Sequence, residues 1–272
     1  MERTLPWLPK SPSKGTAFGI HLALSLLVFS SLVAIMALYW FPGKLFFLDG
    51  GWQGLKLVAM IDLVLGPALT LILYKPGKRG LMLDMTLIAV IQVAALAYGF
   101  YTTHQQRTVA LVYAERGFNT ISAKDNIEAN EQLRKLAIEP KPLPATSLLN
   151  VPLLLTPEPA EGGYGQFIED IFNGYPGPQR RSDLYVPIAQ NHDAIKQDAL
   201  SQDYLEKQGI LNDVEKSLAK RSKTLKQIEI YPFKARYADG VVLFDPIEKH
   251  IIDYLPFSVE VFTTESAVVI DE

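Results

Sequence analysis

Three long apolar runs occupy the first part of the chain. They cover residues 17–40, 55–74 and 81–101, and each is long enough to cross the hydrocarbon core of a bilayer as a helix of about 20 residues. The first run ends in aromatic residues typical of a membrane interface. It is also longer than the apolar core of a cleavable signal peptide, about 7 to 15 residues. The pattern therefore predicts a retained anchor of three transmembrane helices.

A different pattern follows residue 101. Apolar and polar residues alternate over 107–122, which predicts a strand pair or a strand with a bulge at Gly117. Alternation returns over 226–257 and predicts a β-meander. The fold class is therefore a membrane α-helical domain of three transmembrane helices joined to an α+β extracytoplasmic domain.

Helical signals lie between these two strand regions. Ser122 is the expected N-cap of a helix with Asp125 at its third position. Residues 164–174 have the spacing of a short amphipathic helix, and residues 192–223 that of a helix pair divided at Gly209. The proline-rich stretch 139–163 predicts irregular extended chain that docks on the core or on a partner.

Composition changes at the same boundary as the hydrophobic pattern. Residues 1–101 carry eight Lys or Arg and four Asp or Glu, whereas residues 102–272 carry eighteen and twenty-five. The expected domains are a cytoplasmic tail over 1–16, a transmembrane domain over 17–101 and a periplasmic domain over 102–272. The last segment is long enough to bury a core of its own.

Basic residues indicate the orientation of the three helices. They precede the first run and fill the connection between the second and third, which predicts that both segments are cytoplasmic: Arg3, Lys10, Lys14, Lys75, Lys78 and Arg79. Three crossings then place residue 102 onward on the far side of the membrane, which in a Gram-negative bacterium would be the periplasm. In such a bacterium the expected location is the inner membrane, with its lipids as one partner.

One carboxylate interrupts the second apolar run. Asp62 lies about 10 Å of helix rise from the start of that run, and an unpaired charge at such depth costs at least about 2.5 kcal/mol. It must therefore be protonated, wetted or partnered. Three interpretations remain open: it hydrogen-bonds a neighbouring helix of this chain, it engages a transmembrane helix of another protein, or it carries protons.

Nearby residues favour a helix-contact face. Gly66 lies one turn beyond Asp62 and allows close approach of a neighbouring helix, while Pro67 lacks an amide donor and bends the helix. Gln92, in the middle of the third run, is an expected interhelical hydrogen-bonding residue. The predicted partner-binding residues are therefore Asp62, Gly66, Pro67 and Gln92.

The sequence offers little catalytic chemistry. It contains no Cys, and no motif for zinc, nucleotide or serine hydrolase chemistry occurs. His21 is expected to pack at the membrane interface, and His192 and His250 to lie on the surface. Arg180 and Arg181 could receive an anionic group, but a solvated loop is the simpler interpretation. We therefore predict no catalytic residue, no metal site, no cofactor and no nucleic-acid partner.

Several short segments together carry a family resemblance. They are His21, YWFPG (39–43), DGGWQG (49–54), DLVLGP (62–67), YKPGKRGL (74–81), QVAALAYG (92–99) and RTVALVYAERGF (107–118). In this order they resemble the N-terminal region of the TfpX/TfpZ (FimB-like) family of type IV pilin accessory proteins. The resemblance covers roughly residues 18–120.

The resemblance implies a function as well as a location. It implies a pilin accessory and assembly factor that binds its cognate major type IV pilin in the inner membrane and stabilises it, as a chaperone, before polymerisation. Two other functions stay open on the residues alone. One is a membrane-anchored sensor or ligand-binding module; the other is a membrane enzyme acting on pilin, which would require His192, His250 and acidic residues to converge in one cleft.

Overall fold

The computed structural model describes residues 13–146, 150–160 and 162–257. The chain forms two compact units. The first is built from the chain up to residue 37 and from residues 51–104, and the second from residues 38–50 and from residue 105 onward. Residues 38–50, expected as the end of the first span and the following connection, therefore belong to the second unit. Residues 1–12 of the expected tail lie outside the described residues.

Three helical segments are long and apolar enough to cross a membrane, as predicted. They span Lys14–Trp40, Gly51–Leu73 and Leu81–Gln105. Two of these segments change pitch along their length. In chain order the parts are α1 (Lys14–Ile35), a π-helix (Met36–Trp40), α3 (Gly51–Ala59), a second π-helix (Met60–Leu65), α4 (Gly66–Leu73) and α5 (Leu81–Gln105).

The π-helical turn in the second span explains how a proline is accommodated there. Pro67 offers no amide hydrogen and sits at the start of α4, where an α-helical donor is not needed. The amide of Gly66 donates to the carbonyl of Ile61, five residues earlier, which is the hydrogen bond of a wide turn. Asp62 lies inside this turn.

The first unit is apolar on its outside and has polar side chains among its buried residues. Large apolar side chains of the spans are exposed, among them Leu27 (67%) and Leu83 (74%), whereas Asp62 and Gln92 are buried. An outer surface covered by large apolar side chains is the arrangement expected where lipid surrounds the helices. It supports a membrane location for this unit.

A mixed seven-stranded sheet forms the centre of the second unit. The strand order is β4-β3-β1-β2-β5-β6-β7, with parallel pairing of β1 to β3 and of β2 to β5 and antiparallel pairing elsewhere. The strands are β1 (Thr108–Ala114), β2 (Gly117–Ser122), β3 (Leu153–Leu155), β4 (Val186–Pro187), β5 (Glu229–Lys234), β6 (Asp239–Asp245) and β7 (His250–Pro256).

Apolar residues cover both faces of this sheet. One face carries Phe118, Tyr231 and Phe244 and packs against α2 (Leu45–Leu48) and the segment after β4. The other face carries Ile230, Val241 and Leu243 beneath α9 (Gln202–Lys207) and α10 (Leu211–Ala219). The helices are α2 (Leu45–Leu48), α6 (Ala123–Lys135), α7 (Gly163–Phe172), α8 (Ile188–Asn191), α9 (Gln202–Lys207) and α10 (Leu211–Ala219). Single 3-10 turns cover Pro178–Arg180, His192–Ala194, Lys196–Asp198 and Leu225–Gln227.

Most local predictions for this unit are confirmed. The capping box of Ser122 and Asp125 starts α6, and residues 107–122 form a strand pair. Two predictions need correction. The helices expected over 192–223 are shorter, since 192–198 forms only 3-10 turns. The stretch 139–163 is not wholly irregular, because Leu153–Leu155 satisfies its backbone by pairing with β1.

Candidate functional site

A polar cluster lies inside the first unit and draws side chains from all three spans. Gln92 donates from Nε2 to Asp62 Oδ1, and the Ser25 hydroxyl donates to the same oxygen at 3.0 Å. His21 Nε2 donates to Gln92 Oε1 at 2.8 Å, and His21 Nδ1 lies 2.6 Å from the hydroxyl oxygen of Thr70. The cluster therefore joins the spans by hydrogen bonds in a place where lipid offers none.

Gly66 creates the space that this cluster needs. A Cβ at Gly66 would lie 2.5 Å from both Nε2 and Oε1 of Gln92. Any larger residue would thus push the Gln92 amide away from Asp62 and His21. Pro67 is buried beside it. The predicted contact face does bring helices close together, and the helices it joins are those of this chain.

Asp62 keeps one unsatisfied oxygen. Its side chain is 2% exposed, and among the described residues Oδ2 has no hydrogen-bond partner. The donors to Oδ1 are the neutral side chains of Ser25 and Gln92. Of the three interpretations drawn from the sequence, the geometry favours hydrogen bonding within the chain. A contact of Asp62, Gly66, Pro67 or Gln92 with another protein stays a prediction.

A second buried carboxylate, Asp49, organises the second unit. Its side chain is fully buried. It accepts hydrogen bonds from the hydroxyl of Thr108 at 2.5 Å, the hydroxyl of Thr120 at 2.7 Å and the backbone amide of Arg236 at 3.0 Å. Asp49 begins the DGGWQG segment, yet the sequence alone suggested no role for it, because its partners are 59 or more residues away.

An ion pair between Lys44 and Asp253 joins residues 38–50 to strand β7. Lys44 Nζ lies 2.6 Å from Asp253 Oδ1 and donates to the carbonyl of Tyr254 at 2.9 Å. Burial opposes ionisation of Asp253, but hydrogen bonds from Lys44 and Ser217 together hold its pKa below the ordinary value. Residues 38–50 are thus fixed to the sheet by an ion pair and a buried carboxylate.

The structure corrects the expectation that His192 lies on the surface. Its side chain is 6% exposed and stacks on Phe244 with ring centroids 5.3 Å apart. Nε2 donates to Glu229 at 2.5 Å, and Nδ1 accepts from Lys249 at 2.8 Å. The reason is tertiary: β5 and the turn after β6 place a carboxylate and a cation around the ring.

The two histidines weighed as catalytic residues do not share partners. His250 lies 3.4 Å from Glu248 in an exposed pair, whereas the contacts of His192 are with Glu229 and Lys249. His192 and His250 therefore have different hydrogen-bond and ion-pair partners. Among the described residues, no group of three potential metal ligands occurs either.

Arg181 is likewise not in a solvated loop. It is 6% exposed, binds Asp183 through Nε and Nη2, and donates from Nη1 to Asp170 at 2.6 Å. Arg180 pairs with Asp125 at 2.8 Å. Both guanidinium groups therefore already face carboxylates of this chain, and the Arg180 side chain is 42% exposed.

The fold and these clusters define a class of protein: a three-helix membrane anchor, closed by an internal polar cluster, that carries a separate α+β domain. The chain belongs to the family of fimbrial assembly proteins, and this membership confirms the resemblance seen in the sequence. It is 35% identical over 109 residues to the fimbrial assembly protein of serogroups C1 and C2 from Dichelobacter nodosus. That match covers 39% of this chain and 83% of the relative.

Two further relatives come from the same bacterium. The chain is 34% identical to the fimbrial assembly protein of serogroup E1 and 35% identical to that of serogroup I, each over 109 residues. These matches cover 39% of this chain but only 42% of each relative. All three relatives are named as assembly proteins rather than enzymes. No protein-family model matches the chain, and no solved structure matches it.

Proposed function

We propose that this chain is an accessory factor in the assembly of type IV fimbriae and that it binds the major pilin in the inner membrane and stabilises it before polymerisation. The observation that carries the proposal is the match to fimbrial assembly proteins. The architecture supports it. A pilin awaiting assembly has one apolar helix and one exported globular part. In this proposal the helical unit binds the pilin helix and the second unit binds the globular part.

The membrane contact in this proposal uses the outside of the bundle. Because Asp62 and Gln92 are occupied with each other, an incoming helix meets apolar side chains such as Leu27 and Leu83, which are exposed. Asp62, Gly66, Pro67 and Gln92 then act from within, by fixing how the three helices pack. Direct capture of the pilin helix by Asp62 Oδ2 is the alternative, and it requires the bundle to open.

Crosslinking in cells tests the proposal. Photoreactive residues at Leu27 and at Leu83 are expected to form adducts with the pilin in cells that make it, whereas the buried position of Asp62 should form none. Deleting the protein should shorten the half-life of the pilin and lower fimbriation. The assembly proposal fails if no position yields a pilin adduct and pilin levels stay normal without this chain. An adduct from position 62 but not from 27 or 83 would favour the open bundle.

Topology is a separate part of the proposal. We propose that the N-terminal tail is cytoplasmic and that the second unit lies in the periplasm, in line with the basic connections. Alkaline phosphatase fused after residue 257 should be active and the same enzyme fused before residue 13 inactive. The reverse pattern would overturn this orientation without touching family membership.

A further inference from the structure

An exposed apolar strip runs along α7 in the second unit. Tyr164, Ile168 and Ile171 lie three or four residues apart and therefore share one side of the helix. They are 44%, 42% and 45% exposed, and Phe172 at the end of the helix is 86% exposed. Phe167 faces the interior instead and is 3% exposed. We call Tyr164, Ile168, Ile171 and Phe172 the α7 strip.

Acidic side chains border the α7 strip. Glu115, in the turn between β1 and β2, accepts a hydrogen bond from the Tyr164 hydroxyl at 2.8 Å. Glu158 precedes α7 in the chain, Glu169 belongs to α7, and both side chains are exposed. The hydrogen bond to Glu115, with added effects of burial and of Glu158, raises the pKa of Tyr164 to about 12. Arg116, which follows Glu115 in that turn, is also exposed. The three carboxylates outnumber this one cation, so these four residues carry a net negative charge.

A shallow cleft adjoins α7. It has a volume of about 340 Å³ and is lined by Pro157, Glu158, Pro159, Gln166, Asp170, Arg181 and Leu184. Arg181 brings little net charge to the cleft because Asp170 and Asp183 neutralise it. The cleft takes Gln166 and Asp170 from α7, and these residues lie on the side of the helix away from the α7 strip. The α7 strip is therefore a separate exposed apolar surface, with Glu115 hydrogen-bonded at one end of it.

Resting on the proposed function, we propose that the α7 strip is the docking surface for the exported part of the pilin, through an apolar segment bordered by Lys or Arg. Charge complementarity selects this occupant. A membrane surface rich in anionic lipid would be repelled by Glu115, Glu158 and Glu169. A second copy of this chain in a symmetric dimer would set the same carboxylates against each other.

The size of the surface suits a temporary contact. A ten-residue helix is about 15 Å long, so its exposed apolar side gives an interface at the small end of the range for specific complexes. Weak binding of this kind allows the subunit to be released for polymerisation. The apolar side chains supply the attraction, and the acidic border selects the partner.

Site-specific photocrosslinking in the full-length chain, in cells that make the cognate pilin, tests this inference. The probe is placed at Phe172 and, as a matched control, at Ile247, which is equally exposed at 83% but lies in the turn after β6. We expect a pilin adduct from position 172 at least tenfold stronger than from position 247. Glu158→Lys with Glu169→Lys should weaken the adduct several-fold.

The outcomes separate this inference from the proposed function. Pilin adducts from Leu27 or Leu83 but none from position 172 overturn the docking surface and leave the assembly role intact. Equal adducts from positions 172 and 247, adducts only with lipid, with another protein or with a second copy, or no effect of the double charge reversal also overturn it. Loss of every pilin adduct with normal pilin levels overturns both.

Discussion

The two units bury their carboxylates in opposite ways. In the membrane unit, Asp62 is surrounded by the neutral donors Ser25 and Gln92 and keeps one oxygen without a partner among the described residues. In the second unit, Asp245 faces Lys223 at 2.6 Å and also accepts from backbone amides. Asp253 faces Lys44 and Arg221.

This difference follows from the surroundings of each unit. A cation near the centre of a bilayer carries its own large desolvation cost, so a buried membrane carboxylate is best matched by amides and hydroxyls. At the edge of the second unit the cations remain partly in water, since Lys44 is 47% and Lys223 30% exposed. There they neutralise the carboxylates at smaller cost.

Asp49 combines features of both groups. It belongs to the second unit, but it is fully buried and its three hydrogen-bond donors are neutral, as they are for Asp62.

Loss of Asp49 should have the largest effect on stability. Asp49→Ala leaves the hydroxyls of Thr108 and Thr120 and the amide of Arg236 without their acceptor, and each such loss costs about 1–3 kcal/mol. We expect the second unit to lose at least about 3 kcal/mol, measured by denaturant unfolding of the full chain in detergent. Asp49→Asn keeps the shape and should lose less. Equal stability of Asp49→Ala and the unmodified chain would show that this carboxylate does not organise the unit.

An added side chain at Gly66 should cause the second-largest loss of stability, because it crowds the polar cluster of the first unit. Gly66→Ala forces Gln92 out of place and, as an overpacked core substitution, should cost about 1–3 kcal/mol. Gly19→Ala is the matched control because nothing lies within 4 Å of its added Cβ.

A Gln92→Ala variant tests whether the clash with the Gln92 amide causes this loss. In a Gln92→Ala chain the same Gly66→Ala substitution should cost little, because the clashing amide is gone. Additive losses from the two substitutions would contradict the contact between them.

Acid should weaken the second unit through Asp245. Burial alone would raise its pKa, but the hydrogen bonds from Lys223 and from the amides of Glu248 and Ile247 lower the pKa from 3.8 to about 2. A carboxylate with a depressed pKa stabilises the fold above its unfolded value and loses that contribution as pH falls. Thermal unfolding between pH 4 and pH 2 should show this loss, and Asp245→Asn should flatten it. An unchanged slope in that variant would assign the acid sensitivity to other groups.

Replacing the carboxyl group of Asp62 by an amide should have the smallest effect. Asp62→Asn keeps an acceptor for Ser25 and Gln92, and interhelical hydrogen bonds of this kind contribute on average about 0.6 kcal/mol. We expect a change no larger than this in a detergent unfolding titration, with Asp62→Leu clearly less stable. A loss above about 2 kcal/mol in the Asn variant would mean that the carboxyl group itself is required.

Local patterns determined a large part of this molecule. The three spans, the capping box at Ser122, the strand pair and the meander follow from the hydropathy and turn residues of short segments. The helices within 192–223 are shorter than their local pattern predicts. Residues 192–198 carry a helical spacing, but their apolar side chain Ile195 is buried against the sheet, and that packing sets the backbone there.

What the sequence by itself determined is the membrane anchor and the α+β class of the second unit, because hydrophobic runs and alternation are properties of neighbouring residues. Only the tertiary structure decided the partners of the polar residues. Gln92 reaches Asp62 across 30 residues, Arg236 reaches Asp49 across 187, and His192 meets Glu229 across 37. A buried polar side chain takes whatever donor or acceptor the packed fold brings within 3 Å, and no local pattern encodes that distance.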